Sequence, residues 1–301
     1  GGGGGRLWPV PALGRLGGGS PAAPFPPPFG APRRTFLVFA VAPGLVSLVG
    51  LPRRAALVPI ACAGLLLLPV GVTKATGNGR VIWEKETQYG YARALERDDG
   101  PRRLELNEGQ ATHSVLHPGT YLTGNYWDEF LVLPLAAGRA PRSIAILGDA
   151  AGTTARAYGH FYPGARVDGV EIDGALHDVG RRLFGLRGPD LHLHTADARP
   201  FLRATDRRWD AIMVDAYRQP YIPFYLVTKE FFQEVHDHLE PGGTVMVNVG
   251  HPEGSHRLEK VLAATMGTAF AHVMRDRSED SNTSLVASDA PLSGATLAAT
   301  P

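Results

Sequence analysis

The chain carries one cysteine in 301 residues. Cys62 lies inside an apolar run, so neither a disulfide framework nor a thiolate metal cluster can be built from it. Charge of one sign is also missing: 30 Lys and Arg stand against 29 Asp and Glu, a formal net charge of +1, which gives no electrostatic footprint for nucleic acid. No GxxxxGK[ST] run occurs, which excludes the usual phosphate cradle of a nucleoside triphosphate. No GxSxG elbow occurs, so a serine hydrolase of that type is excluded. HExxH is absent as well. His192 and His194 share one strand face, and His236 and His238 sit two apart on a helix, where they do not face each other. No metal is expected in the reaction. The chain starts at Gly1 rather than Met, which leaves room for sequence upstream.

What is present is distributed unevenly. Residues 1–34 are almost wholly Gly, Pro and Ala, a composition expected to be disordered because it cannot bury enough apolar surface. Two apolar runs follow, TFLVFAVAPGLVSLVGL and AALVPIACAGLLLLPVGV, separated by Pro52-Arg53-Arg54. Each is close to the lower limit of roughly 17 residues for crossing a bilayer. The expectation over 35–73 is a transmembrane helical hairpin rather than a signal peptide, since no small-residue cleavage site follows. Such a protein would be membrane-associated, attached through this hairpin. Its soluble part is expected to be cytoplasmic.

Beyond Arg80 the pattern changes. VIWEKETQYGYARALER, RRLELNEG and QATHSVLH read as a small antiparallel β unit over 80–118. SIAILG, ARVDGVEID, LHLHTAD, RWDAIMVDA and TVMVNVG then read as strands separated by helical stretches, with AFAHVMRD and TSLVAS as a closing hairpin. This alternation predicts a doubly wound, mostly parallel α/β sheet, Rossmann-like, over 119–290, leaving 291–301 as a tail. In such sheets ligands bind outside the carboxyl ends of the strands. Four successive strands end on acids here: Asp149, Glu171, Asp197 and Asp215. In LGDAAGTT, Gly148 and Gly152 permit a tight turn and close approach of a ligand. Glu171 suits a ribose diol and Asp197 an adenine amino group. A helix or loop cap explains any one of these acids equally well. Taken together, and without a phosphate loop, they suit an S-adenosyl sulfonium compound.

LELNEGQ, YWDEFLVLPL, ILGDAAGTTAR, GVEID, TADARPFL and MVDAYRQP resemble, in order, the motifs of the polyamine aminopropyltransferases, the spermidine synthase group within the class I methyltransferase-like fold. The resemblance covers residues 81–275. The hydrophobic leader resembles a bacterial branch fused to membrane helices. The resemblance implies that Gln110 contacts the nucleoside or sulfur end of decarboxylated S-adenosylmethionine, Glu171 the ribose, and Asp197 with Ala198 the adenine, with Gly148, Asp149 and Gly152 in the donor loop. It implies that Asp215 accepts a proton from an attacking small-molecule amine, aided by Tyr126, with Trp127, Asp128, Tyr217 and Arg218 on the amine side. A homodimer is the assembly considered.

Three positions depart from the family pattern. Ala151 stands where the family has an acid for the donor's ammonium. Arg218 stands where it has a second acid, and a guanidinium there repels a diamine. Trp127 replaces the His of a Tyr-His-Glu motif. Two alternatives therefore stay open: a methyltransferase using S-adenosylmethionine itself, and a non-catalytic nucleoside-binding or scaffold protein beside a membrane.

Overall fold

The structure is a computed structural model that describes residues 39–41, 44–46, 57–65, 79–107, 111–217 and 222–299. The 1–34 segment, Gln110 and Arg218 lie outside the described residues. Helical residues at 39–41 and 44–46 precede α1 (Leu57–Leu65). Nine residues of α-helix extend only about 13 Å, under half of the roughly 30 Å hydrocarbon core. Among the described residues no helix is long and apolar enough to cross a membrane. The expected membrane-attached localisation is therefore corrected; most of the hairpin expected over 35–73 lies outside the described residues.

A four-stranded antiparallel meander comes next: β1 (Arg80–Glu86), β2 (Tyr91–Glu96), β3 (Arg102–Leu106) and β4 (Ala111–Leu116). It buries Ala92, Ala94 and Leu104 on one face and keeps ion pairs such as Arg93–Glu105, at 2.8 Å, elsewhere. α2 (Tyr126–Val132) and a 3-10 turn over Leu133–Ala137 lead into the main sheet.

That sheet has seven strands in the order β10-β11-β9-β8-β5-β6-β7. Its strands are β5 (Ser143–Leu147), β6 (Arg166–Glu171), β7 (Leu191–Thr195), β8 (Trp209–Val214), β9 (Leu239–Gly250), β10 (His272–Glu279) and β11 (Asn282–Ser288). The helices between them are α3 (Thr153–Phe161), α4 (Gly174–Leu183), α5 (Ala198–Arg203), α6 (Lys229–Asp237) and α7 (Arg257–Met266). β5 to β9 pair in parallel, and the closing hairpin enters the same sheet, with β11 antiparallel to both β9 and β10. Both faces of β5 are covered, which is why Ile144, Ala145, Ile146 and Leu147 read as an unbroken apolar run. The presumptive tail contains a short helix, α8 (Gly294–Ala299), preceded by a bond from the Ser293 N–H to the Ala136 carbonyl at 3.1 Å.

The chain runs outward from β5 through β6 to β7, then returns to β8 on the other side of β5. This reversal opens a crevice at the carboxyl ends of β5 and β8. One charge is buried within the sheet itself. Asp168 of β6 is 1% exposed, accepting from Arg166 at 2.9 Å, His194 at 2.8 Å and the Trp209 indole at 3.0 Å. Burial pushes its carboxyl upward, but these partners outweigh that and hold it below the ordinary value.

Candidate active site

Parallel register decides which side chains meet at the crevice. Leu147 pairs with Val214, and Val214 with Val247. The next residues of the latter pair, Asp215 and Asn248, therefore lie side by side, and the Asn248 Nδ2 donates to Asp215 Oδ1 at 2.9 Å. The Tyr126 hydroxyl donates to Asp215 Oδ2 at 3.0 Å, reaching across from the start of α2. Trp127 packs on Tyr126 with ring centroids 4.5 Å apart, and its proximity favours the charged form of this carboxyl. Burial is the main influence on Asp215 and pushes its carboxyl up to about 7, against the bonds from Asn248 and Tyr126 and the influence of Trp127, with the negative charge of Asp149 raising it further.

Asn248 was not anticipated from the sequence. Its one signal is a lone amide near the carboxyl end of the apolar run TVMVNVG. It is 4% exposed, and its Oδ1 is buried without a hydrogen-bond partner. The Tyr217 hydroxyl donates to the Asn248 carbonyl at 2.9 Å and accepts from the Gly250 N–H at 2.5 Å. Tyr217 thus braces the end of β9, and burial raises its phenol well above the usual value.

The donor-loop residues assemble on the β5–β6 side. Gly148 has φ 97°, and a Cβ there would stand 2.6 Å from the Asp215 carbonyl oxygen and 2.6 Å from the Ala216 nitrogen. Gly152, with φ 84°, faces Leu186 closely enough that a Cβ would overlap its side chain. Between them Ala150 takes φ 48°, unusual for a residue with a Cβ. Glu171 holds this turn: its Oε2 accepts from the Ala150 N–H and its Oε1 from the Asp173 N–H, both at 3.0 Å. Burial raises the Glu171 carboxyl, partly offset by these two bonds. The Ala151 N–H donates to Ser114 Oγ of β4 at 2.9 Å, and the Val115 N–H donates to Thr153 Oγ1 at 2.8 Å.

Other acids have local duties. Asp149 is buried, with its Oδ2 3.5 Å from His177 Nε2, and fills the space a Cβ on Gly169 would need. Asp197 caps α5 through the Arg199 N–H at 3.2 Å and accepts from the Tyr225 hydroxyl at 2.8 Å, next to the buried Ala198. Asp128 turns its carboxylate onto its own loop, accepting from the Thr123 N–H at 2.9 Å and the Gly124 N–H at 2.7 Å. A depression of about 790 Å³ lined by Arg139, Arg142, Asp210 and Glu240 sits at the starts of β5 and β8. It lies at the opposite end of these strands from Asp215, so volume is a poor guide to the chemistry here.

Sheet order, switch-point crevice and glycine loop define a class I methyltransferase-like α/β protein. Residues 126–277 match the spermine/spermidine synthase domain. The chain belongs to that family. A probable polyamine aminopropyl transferase of Bifidobacterium longum is 35% identical over 193 residues, 64% of this chain and 43% of that relative's length. The structure of a probable spermidine synthase from Corynebacterium glutamicum superposes with a TM-score of 0.61 at 23% identity, covering 71% of this chain and 81% of the other. A spermidine synthase in complex with the transition state analogue AdoDATO superposes at 0.60 and 18% identity, over 70% and 74%.

Proposed function

We propose that the chain transfers an aminopropyl group from decarboxylated S-adenosylmethionine to a primary amine. The amine nitrogen attacks the propyl carbon beside the sulfonium. As the new C–N bond forms, the C–S bond breaks and its electron pair passes to sulfur, releasing neutral methylthioadenosine. The proton lost by the nitrogen goes to Asp215. The observation that carries this reading is the half-buried Asp215 carboxyl with Tyr126 and Asn248 on its two oxygens, at the switch point beside the glycine loop. A base whose pKa lies near the working pH suits proton acceptance from an amine.

On this reading Glu171 holds the ribose, Asp197 and Ala198 border the adenine, and Gly148 and Gly152 let the donor approach the backbone. Asp149 adds negative potential near the sulfonium. Tyr126 and Trp127 orient Asp215 and give the amine an aromatic wall. Tyr217 acts through Asn248, and the Asn248 Oδ1 accepts one of the amine's N–H groups. Asp128 shapes the loop ahead of α2. Gln110 and Arg218 retain the donor and amine roles expected from the sequence. Supplying decarboxylated S-adenosylmethionine with a panel of primary amines and diamines should yield methylthioadenosine. No methylthioadenosine with any amine, or S-adenosylhomocysteine formed from S-adenosylmethionine instead, overturns the proposal.

The raised Asp215 carboxyl sets a pH dependence. Because its folded value of about 7 lies above the ordinary 3.8, the folded state holds this proton more tightly than the unfolded chain does. Its contribution to stability therefore falls as pH rises from about 4 to about 7. Activity moves the other way, since only the carboxylate accepts a proton. The expected kcat/KM climbs with pH through an apparent pKa near 7 and then levels. Asn248→Leu removes a donated bond and should move that limb to higher pH. A limb that stays in place in the variant separates Asn248 from the proton acceptor.

A further inference from the structure

The loop after β9 carries three metal-ligating side chains that the proposed reaction does not use. His251 follows Gly250, His256 precedes α7, and Glu259 lies in its first turn. One ligand atom from each lies within 4.8 Å of the other two. His256 Nδ1 is buried and stands 3.5 Å from Glu259 Oε1 without a hydrogen bond. Ligands about 2.0–2.2 Å from a tetrahedral ion sit roughly 3.3–3.6 Å apart, so this pair has the spacing of an ion's ligands.

Proton bookkeeping around His251 points the same way. Its Nδ1 faces the Pro252 carbonyl at 3.1 Å, and a carbonyl only accepts. Its Nε2 faces Thr283 Oγ1 at 3.0 Å, while that hydroxyl gives its single proton to Glu259 Oε2 at 2.5 Å. With Nδ1 turned to the Pro252 carbonyl, Nε2 is the ring nitrogen left to take an ion, which would displace its contact with Thr283 Oγ1. His251 is 8% exposed and Glu259 0%. The Arg275 guanidinium, 40% exposed along its side chain, donates to Glu259 Oε1 at 3.4 Å, a bond that an ion at this oxygen would replace.

We propose that His251 Nε2, His256 Nδ1 and Glu259 Oε1 form a divalent-cation site of zinc type, completed by water and structural in role. Pro252 and Thr283 are its supporting partners. The carbonyl fixes the His251 tautomer, and the hydroxyl holds the other oxygen of Glu259. The ion pins the β9–α7 loop to the first turn of α7, with Thr283 of β11 touching it only through Glu259, and the proposal is independent of the aminopropyl chemistry.

Titration of the full chain with Zn2+ alone should retain one ion per chain and raise the unfolding midpoint. Co2+ should give the visible absorption of a tetrahedral site. His256→Ala and Glu259→Gln should each weaken Zn2+ binding at least tenfold, and Thr283→Val by about tenfold. His256 is partly exposed, so its variant carries the test if the Glu259 variant fails to fold. Asp215→Asn should bind Zn2+ as the parent does. Failure to retain one Zn2+ per chain, retention unchanged in His256→Ala, or loss in Asp215→Asn would overturn the assignment.

Discussion

Asp215→Asn should lower kcat by roughly 10²–10⁴-fold, the usual contribution of a positioned general base, while donor affinity stays within a few-fold of the parent. The substitution suits the question because an amide keeps the shape of the carboxyl: its Oδ1 can still accept from the Asn248 Nδ2, while its NH2 donates to the Tyr126 hydroxyl, which turns acceptor. What it loses is the capacity to take a proton. It also removes a half-buried carboxyl that costs free energy to ionise, so the variant should unfold at an equal or higher temperature than the parent at pH 8. Single-turnover release of methylthioadenosine, measured beside donor binding by calorimetry, reads both effects. A variant that turns over within threefold of the parent would refute proton acceptance by Asp215. A variant that no longer binds the donor would show that the side chain shapes the pocket rather than the chemistry.

Gly148→Ala should cost both stability and rate. The residue sits at φ 97°, and a methyl group there meets three backbone atoms of Asp215 and Ala216 at 2.6 to 2.7 Å. Backbone cannot rotate aside as a side chain can, so the end of β8 has to move. Left-handed backbone alone costs about 1–3 kcal/mol, and displacing a paired strand end adds to it. A fall in melting temperature of roughly 5–10 °C is expected for a domain of this size. Because the displaced segment carries Asp215, kcat should drop by at least tenfold even in the folded fraction. Gly164 provides the control, with φ 82° and nothing within 4 Å of a Cβ. Gly164→Ala therefore isolates backbone strain from collision and should leave the rate unchanged. Equal losses in the two variants would remove the claim that residue 148 must be bare to admit the neighbouring strand.

The sheet was legible in the sequence because parallel strands covered on both faces leave an unambiguous trace. SIAIL and WDAIMV are nearly all apolar, and each is followed by a turn with a conspicuous acid or glycine. Tyr126 and Asp215, 89 positions apart, were paired through a resemblance of motifs, and the geometry brings them within a hydrogen bond. Asn248 was hidden because its role depends on register: only the pairing of Val214 with Val247 puts it beside Asp215. The helix-cap reading of Asp197 is realised, since its carboxylate holds the Arg199 N–H, while Asp128 faces its own loop. The expected membrane attachment rested on hydropathy, which counts apolar residues without fixing helix length; among the described residues α1 has nine. His251, His256 and Glu259 escaped notice because their convergence needs the turn at Ser255 and the start of α7.

Ser114 and Val115 of β4 clasp the backbone and hydroxyl of the glycine turn, and Ala92, Ala94 and Leu104 share one apolar cluster with Ala150, Ala151 and Phe184. The meander and the larger sheet are thus sewn together at the glycine turn between β5 and α3. A change in β4 is therefore read in the other sheet: without the Ser114 hydroxyl the Ala151 N–H loses its acceptor, and the glycine turn loses one of its fastenings.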